Sequence, residues 1–258
     1  MLPEEIESTP AESGEAFEPV AIAAPAAPVR EPFWGYTDLV LVLGLLFGAM
    51  VIITLIVVGL ISFFPQFRQD QTPLLVPMNL VLYGFVYLSL RLTFGLRYGK
   101  PVFRSLGWRR AGINLALVGV GGVALAVVFS LISAAIHTPK IPTPFDKLIG
   151  SPWSMALFAV MAVIVAPLFE ELFFRGFIQP VFSRTFGTIA GILITAALFG
   201  SLHLFEYAYA WQYALFISLA GAVFGWLRAR TNSIIPCTVM HGCFNALSVV
   251  ALAFGKNI

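Results

Sequence analysis

Apolar runs of about twenty residues recur along this chain, and most of its charge lies in the N-terminal segment before them and in the short polar stretches between them. Seven such runs can be marked: Leu39–Phe64, Leu74–Leu90, Gly112–Ile136, Pro152–Phe169 continuing toward Pro180, Gly187–Leu204, Ala208–Leu227 and Ser233–Phe254. Each is long enough to cross a hydrocarbon core of roughly 30 Å as a helix. A closed barrel is the only other spanning solution, and these long runs lack the period-two alternation it needs. The pattern predicts an all-α, polytopic membrane bundle of about seven transmembrane helices. Composition agrees: 59% hydrophobic and 11% charged residues, against roughly 45–50% and 25% in soluble domains.

The first 36 residues differ in kind. Glu4, Glu5, Glu7, Glu12, Glu15 and Glu18 are interspersed with Pro and Ala, and apolar periodicity is absent. Such a segment cannot bury enough surface to offset its ordering entropy, so residues 1–36 are expected to be a disordered acidic tail. Without a basic start and a short apolar stretch it is not a signal peptide. Lys and Arg distribute unequally between the two sides of the bundle. With the N-terminus inside, eleven fall on the cytoplasmic side, six of them between Arg91 and Arg110, and four outside: Arg68, Lys140, Lys147 and Lys256. This favours a cytoplasmic N-terminus. The expected location is therefore a multi-pass protein of a bacterial inner membrane, its first partner the lipid bilayer, with no feature that would bind nucleic acid. Cys237 and Cys243 are six apart on one span, which puts them on different helix faces, too far apart to bridge.

Against this apolar background the few polar residues of the C-terminal half stand out. Beyond position 70 there are four acidic residues, and two of them are neighbours, Glu170 and Glu171. One ionised carboxylate at such a place costs about 2.5–3.5 kcal/mol on insertion scales, so chemistry is the natural reason to keep two. On a helix Arg175 is four residues from Glu171 and shares its face, whereas Glu170 points elsewhere. The neighbours therefore take different work: Glu171 pairs with Arg175, and Glu170 is left as a carboxylate in apolar surroundings, suited to accept a proton near neutral pH. Two further pairs at four-residue spacing follow. Phe199 and His203 lie near the end of the fifth run, and His241 and Asn245 lie inside the seventh. Two donors stacked on one face can stabilise one developing negative oxygen; the plainer alternative is a polar clasp between helices. His137, at a span end, reads as interfacial. Helix rise puts Glu170 about 15 Å above the cytoplasmic edge counted from Pro180, and His241 about 14 Å counted from Asn232. His203 comes out at about 24 Å counted from Gly187, out of level with the other two.

Together these residues resemble the CPBP family of intramembrane proteases, also called the CAAX prenyl protease or Abi family. Its signature is Glu-Glu-x-x-x-Arg, Phe-x-x-x-His and His-x-x-x-Asn/Asp, standing here as Glu170-Glu171-x-x-x-Arg175, Phe199-x-x-x-His203 and His241-x-x-x-Asn245, in that order. The resemblance covers the four-helix catalytic core (151–258); composition and the apolar runs set apart a tail (1–36) and three N-terminal helices (37–150). It implies peptide-bond hydrolysis on a peptide or a membrane-anchored protein substrate, prenylated or not. Glu170 with His203 would activate a water, His241 with Asn245 would form the oxyanion hole, and Glu171 with Arg175 would orient the site. No cofactor is expected in that reading. The alternative is a zinc metalloprotease with Glu170, His203 and His241 as the three ligands, although no His-Glu-x-x-His helix is present. Two other classes compete: a proton-coupled transporter, which should show internal repeats that this sequence lacks, and a non-catalytic scaffold or immunity protein on the same fold.

Overall fold

The computed structural model describes residues 32–141, 146 and 151–254, so residues 1–31 of the expected tail lie outside the described residues. Eleven α-helices follow in order: α1 (Tyr36–Phe63), α2 (Pro65–Gln69), α3 (Thr72–Tyr98), α4 (Val102–Ser105), α5 (Leu115–Ala135), α6 (Pro152–Val160), α7 (Ala166–Glu171), α8 (Gln179–Phe186), α9 (Thr188–Leu202), α10 (Trp211–Thr231) and α11 (Ile235–Phe254). No strand occurs among the described residues. Among the described residues five helices are long and apolar enough to cross a membrane: α1, α3, α5, the continuous 35-residue helix Pro152–Phe186, and α11. Two of the seven expected spans fall short of that description. With fifteen residues α9 is apolar but short. The sixth run does not begin as helix at Ala208: residues 203–210 form a loop, and α10 starts at Trp211 and ends on Arg228 and Arg230. The protein is a multi-pass integral membrane bundle. Its outward apolar side chains, such as Phe47, Leu96, Leu117 and Ile189, are exposed because lipid is their solvent.

The segment assigned to the tail ends earlier than its composition suggests. Phe33 and Trp34, inside the expected 1–36, pack into the main core: Trp34 is buried, its Nε1–H donates to Phe177 O at 3.0 Å, and its ring lies 5.1 Å from Phe94. Two large aromatic side chains in a row bring enough apolar area to order this stretch against the bundle. Two polar contacts tie it to α8, Arg184 Nη1 to Pro32 O and Tyr36 OH to Thr185 Oγ1.

Helices pair as α1 on α3, α5 on α11, α8 on α9 and α9 on α10, with α11 also against the long helix. Small residues set the α5–α11 contact, where Gly119 faces Cys243 and Gly122 faces the Met240 carbonyl. Both cysteines are free, and the Cys237 thiol is buried against Phe224 O. The long helix is not uniformly α. Two stretches, Met161–Val165 and Leu172–Ile178, are π-helical, with Ala166 N–H reaching back to Met161 O and Gln179 N–H to Phe174 O. Each stretch holds the residue four before a proline, Val163 before Pro167 and Gly176 before Pro180. A proline lacks the N–H for that carbonyl and its ring crowds it, so the turn widens there.

This course also levels the site. The long helix continues through Pro180 to Phe186 before turning at Gly187. Glu170 and His203 therefore sit at nearly equal distances from that turn, roughly 25 Å of helix each. His241 comes up to them because α11 starts inside the protein: Ser233 and Ile234 are fully buried, and Ile234 N–H donates to Gly107 O at 3.0 Å. The expected mismatch in depth came from ending the fourth span at Pro180.

Candidate active site

Two fully buried charged side chains stand on α7 and the π stretch after it. Glu171 and Arg175 are both fully buried, with Glu171 Oε1 2.9 Å from Arg175 Nη1. A bare ion pair in hydrocarbon would be costly, so its remaining donors need partners. Arg175 Nη2 donates to Gly221 O at 3.0 Å on α10. The guanidinium also lies 4.5 Å from the Phe199 ring centroid and 5.4 Å from that of Phe224. Glycine at position 221 leaves room for this approach, since a Cβ there would stand 2.8 Å from Arg175 Nη2. One turn on, Gln179 Nε2 repeats the contact with Gly225 O at 2.9 Å. Arg175 and Gln179 thus form two rungs, four residues apart, against two glycines with the same spacing.

The third partner of the pair is His241. Its Nδ1 lies 2.9 Å from Glu171 Oε1, and a carboxylate there fixes the proton on Nδ1. The opposite nitrogen, Nε2, faces Glu170 Oε2 at 3.7 Å. The imidazole stacks on Phe224 with centroids 4.9 Å apart, and Phe199 meets it edge-on at 5.7 Å. His241 is therefore held between the two glutamates. Glu171 has its two charged or polar partners inside the protein, whereas Glu170 is partly exposed, and its Oε1 accepts from Tyr83 OH on α3 at 2.8 Å.

Asn245 lies one turn beyond His241, and its Nδ2 donates to Ala162 O at 2.9 Å, in the first π stretch. The approach is close because Gly242 presents no side chain to Val163 O, the carbonyl released by Pro167. One N–H of the amide forms this clasp and the other remains. His203 directly follows the last residue of α9. Its Nδ1–H donates to Phe199 O at 2.8 Å, which leaves Nε2 as the nitrogen with a free lone pair. Phe199 thereby touches Arg175, His203 and His241 at once. Glu206 is in the loop after His203, which Tyr213 ties down through its stack on Tyr207 and its bond to Pro139 O. Burial pushes the Glu206 carboxyl above the usual carboxylate range, opposed by His203 and reinforced by Glu170.

Glu170, His203, His241 and Asn245 all line one cavity of about 1630 Å³, together with Tyr83 and Glu206. Apolar side chains from α1 and α3 complete one wall, and Ser130 and Ser133 of α5 line it too. It is larger than a typical small-molecule site of about 300–1,000 Å³, and a second set of polar groups, Lys140 and Asp146 among them, lines it away from α7 and α11. Glu171 and Arg175 do not line it. His137 is exposed at the other rim, just past α5. The zinc alternative asks for three converging donors, and among the described residues no three His, Cys, Asp or Glu side chains group closely enough to hold a metal ion. Glu170, His203 and His241 share the cavity without forming such a group. Tyr83, Gly221, Phe224 and Ala162 escaped the sequence reading. The Gly221–Gly225 spacing opposite Arg175 and Gln179 was a usable signal; a tyrosine in the second apolar run was not.

The family model described as "Rce1-like: Type II CAAX prenyl endopeptidase Rce1-like" matches residues 151–247, the segment that carries all three motifs. The matched segment is thus similar to the CPBP/CAAX-protease type, the family its motifs resemble. No curated protein and no solved structure matches the chain. The match supports a membrane-embedded endopeptidase of the CAAX type in general, acting on prenylated proteins.

Proposed function

We propose that the protein hydrolyses a peptide bond of a prenylated, membrane-anchored protein with a water activated by Glu170. One observation carries this reading: of two adjacent glutamates, Glu171 is neutralised by a buried arginine, while Glu170 faces a cavity and a histidine. Glu170 takes a proton from water as the oxygen attacks the scissile carbonyl, and His203 assists through Nε2. The carbonyl oxygen becomes negative and is stabilised by His241 and the second N–H of Asn245. Glu171 holds the His241 ring through Nδ1, so Nε2 is the atom turned toward the cavity and the developing oxygen. Collapse of the tetrahedral intermediate breaks the C–N bond, and Glu170 returns its proton to the leaving amine. No step is routed through a metal, since the residues offered as ligands do not group as a site. The Lys/Arg asymmetry supports a cytoplasmic N-terminus for the same protein.

The test is cleavage of a quenched fluorescent peptide ending in a prenylated CAAX sequence by purified protein in liposomes. Glu170→Gln keeps the size of the side chain and removes the proton acceptor, so turnover should fall by about 10²–10⁴ with an unchanged melting temperature. Cleavage at the wild-type rate by this variant would end the glutamate-base reading. Activity should survive a zinc chelator; chelator loss reversed by added zinc would install the metalloprotease instead. Asn245→Ala should lower kcat by roughly 10²–10³ with little change in KM, as expected of a donor used in the transition state. A KM effect alone would leave Asn245 as a clasp to Ala162.

A further inference from the structure

Tyr83 lies outside the matched segment and belongs to none of the three motifs, yet it makes the one hydrogen bond given to Glu170 among the described residues, 2.8 Å from hydroxyl to Oε1. Its ring stacks on Phe169, the residue directly before Glu170, with centroids 5.5 Å apart and planes 15° from parallel. We propose that Tyr83 is a positioning residue: its hydroxyl holds Glu170 with Oε2 turned toward His241, so that α3 supplies part of the working site. The inference rests on the protease reading above for its kinetic consequence, though not for the contact.

Three physical points lead there. A glutamate has three rotatable bonds, and one facing a cavity of this size would sample many orientations unless something held it. The arginine that might restrain it is committed to Glu171 and Gly221 O. Tyrosine fits the task, because a rigid phenol costs little entropy to order and its half-buried hydroxyl finds a charged acceptor in Glu170. The contact also distinguishes the two oxygens of Glu170. Oε1 is occupied by a donor, whereas Oε2 faces His241 Nε2 at 3.7 Å. Tyr83 thereby selects Oε2 as the oxygen that takes the proton from water. A substrate bond placed beside Oε2 is then placed beside His241 as well, and the geometry depends on a helix well before residue 151.

Tyr83→Phe keeps the ring on Phe169 and removes the hydroxyl alone. Melting temperatures of full-length wild type, Tyr83→Phe, Glu170→Leu and the double variant test the contact without any assay of activity. Tyr83→Phe should lower the melting temperature by a few degrees in the wild-type background and have no effect, or raise it, in the Glu170→Leu background, where the hydroxyl has lost its acceptor. Equal shifts in both backgrounds would overturn the contact. On the prenylated CAAX peptide in liposomes, Tyr83→Phe should lose roughly 10–100-fold in kcat with KM unchanged, as expected for a misplaced base. Coupled melts with an unchanged kcat, or a rise in KM alone, would overturn the positioning role. If wild type itself fails to cleave the peptide, the protease reading falls, and the melts still decide the contact.

Discussion

Glu171 and Asp38 are both paired with arginine, and their surroundings could hardly differ more. Glu171 and Arg175 meet at 2.9 Å with both side chains fully buried. Asp38 and Arg97 meet at 3.1 Å, with Asp38 buried but 42% of the Arg97 side chain exposed. The first pair is closed on itself: partners come from α10 and α11, and aromatic faces take the place of water. The second is open. Asp38 Oδ2 also accepts from Gly35 N–H at 2.9 Å, closing the start of α1, and from Tyr98 OH at 2.8 Å. Take Arg97 away and Asp38 keeps two neutral donors, with solvent free to enter. Take Arg175 away and Glu171 keeps a histidine in a sealed space. Similar distances thus conceal unequal dependence on the partner.

Melting experiments can sharpen or break this contrast. Arg175→Ala should destabilise most, by roughly 3–5 kcal/mol, because it leaves a buried charge without its counter-ion. Glu170→Ala should cost much less than that, or even stabilise, since Glu170 has no counter-ion to strand. The opposite order would mean that the partners of the neighbouring glutamates are exchanged. Arg97→Ala should have the smallest effect, roughly 0–1 kcal/mol, and should shrink further at high salt. An Arg97→Ala effect as large as that of Arg175→Ala would show that exposure does not govern these pairs.

Much of this was legible in the residues. Charge-free runs gave the helical bundle, and four-residue spacing gave the Glu171–Arg175 pair and the shared face of His241 and Asn245. What escaped came from physics that periodicity does not carry. Pro167 and Pro180 lie in an apolar run, and counting at 3.6 residues per turn passes over the widened turns before them. Stopping the fourth span at Pro180 then put His203 out of level with Glu170. Phe33 and Trp34 were absorbed into an acidic tail because composition averages over a window, whereas two adjacent aromatics can order a short stretch by themselves. Tyr83 left no sequence signal, since its partner is eighty-seven residues away and on another helix.

The two rungs that join Arg175 and Gln179 to the carbonyls of Gly221 and Gly225 bear on how the chain is assembled in the bilayer. Arg175 is made together with Glu171, but its carbonyl partner follows 46 residues later, and the histidine that completes the cluster is 70 residues beyond Glu171. In the interval the ion pair lacks the carbonyl and the imidazole that it meets in the finished bundle. A chain cut short before α11 would carry its unfinished polar cluster as an exposed mark of incompleteness, and membrane quality control could read that mark.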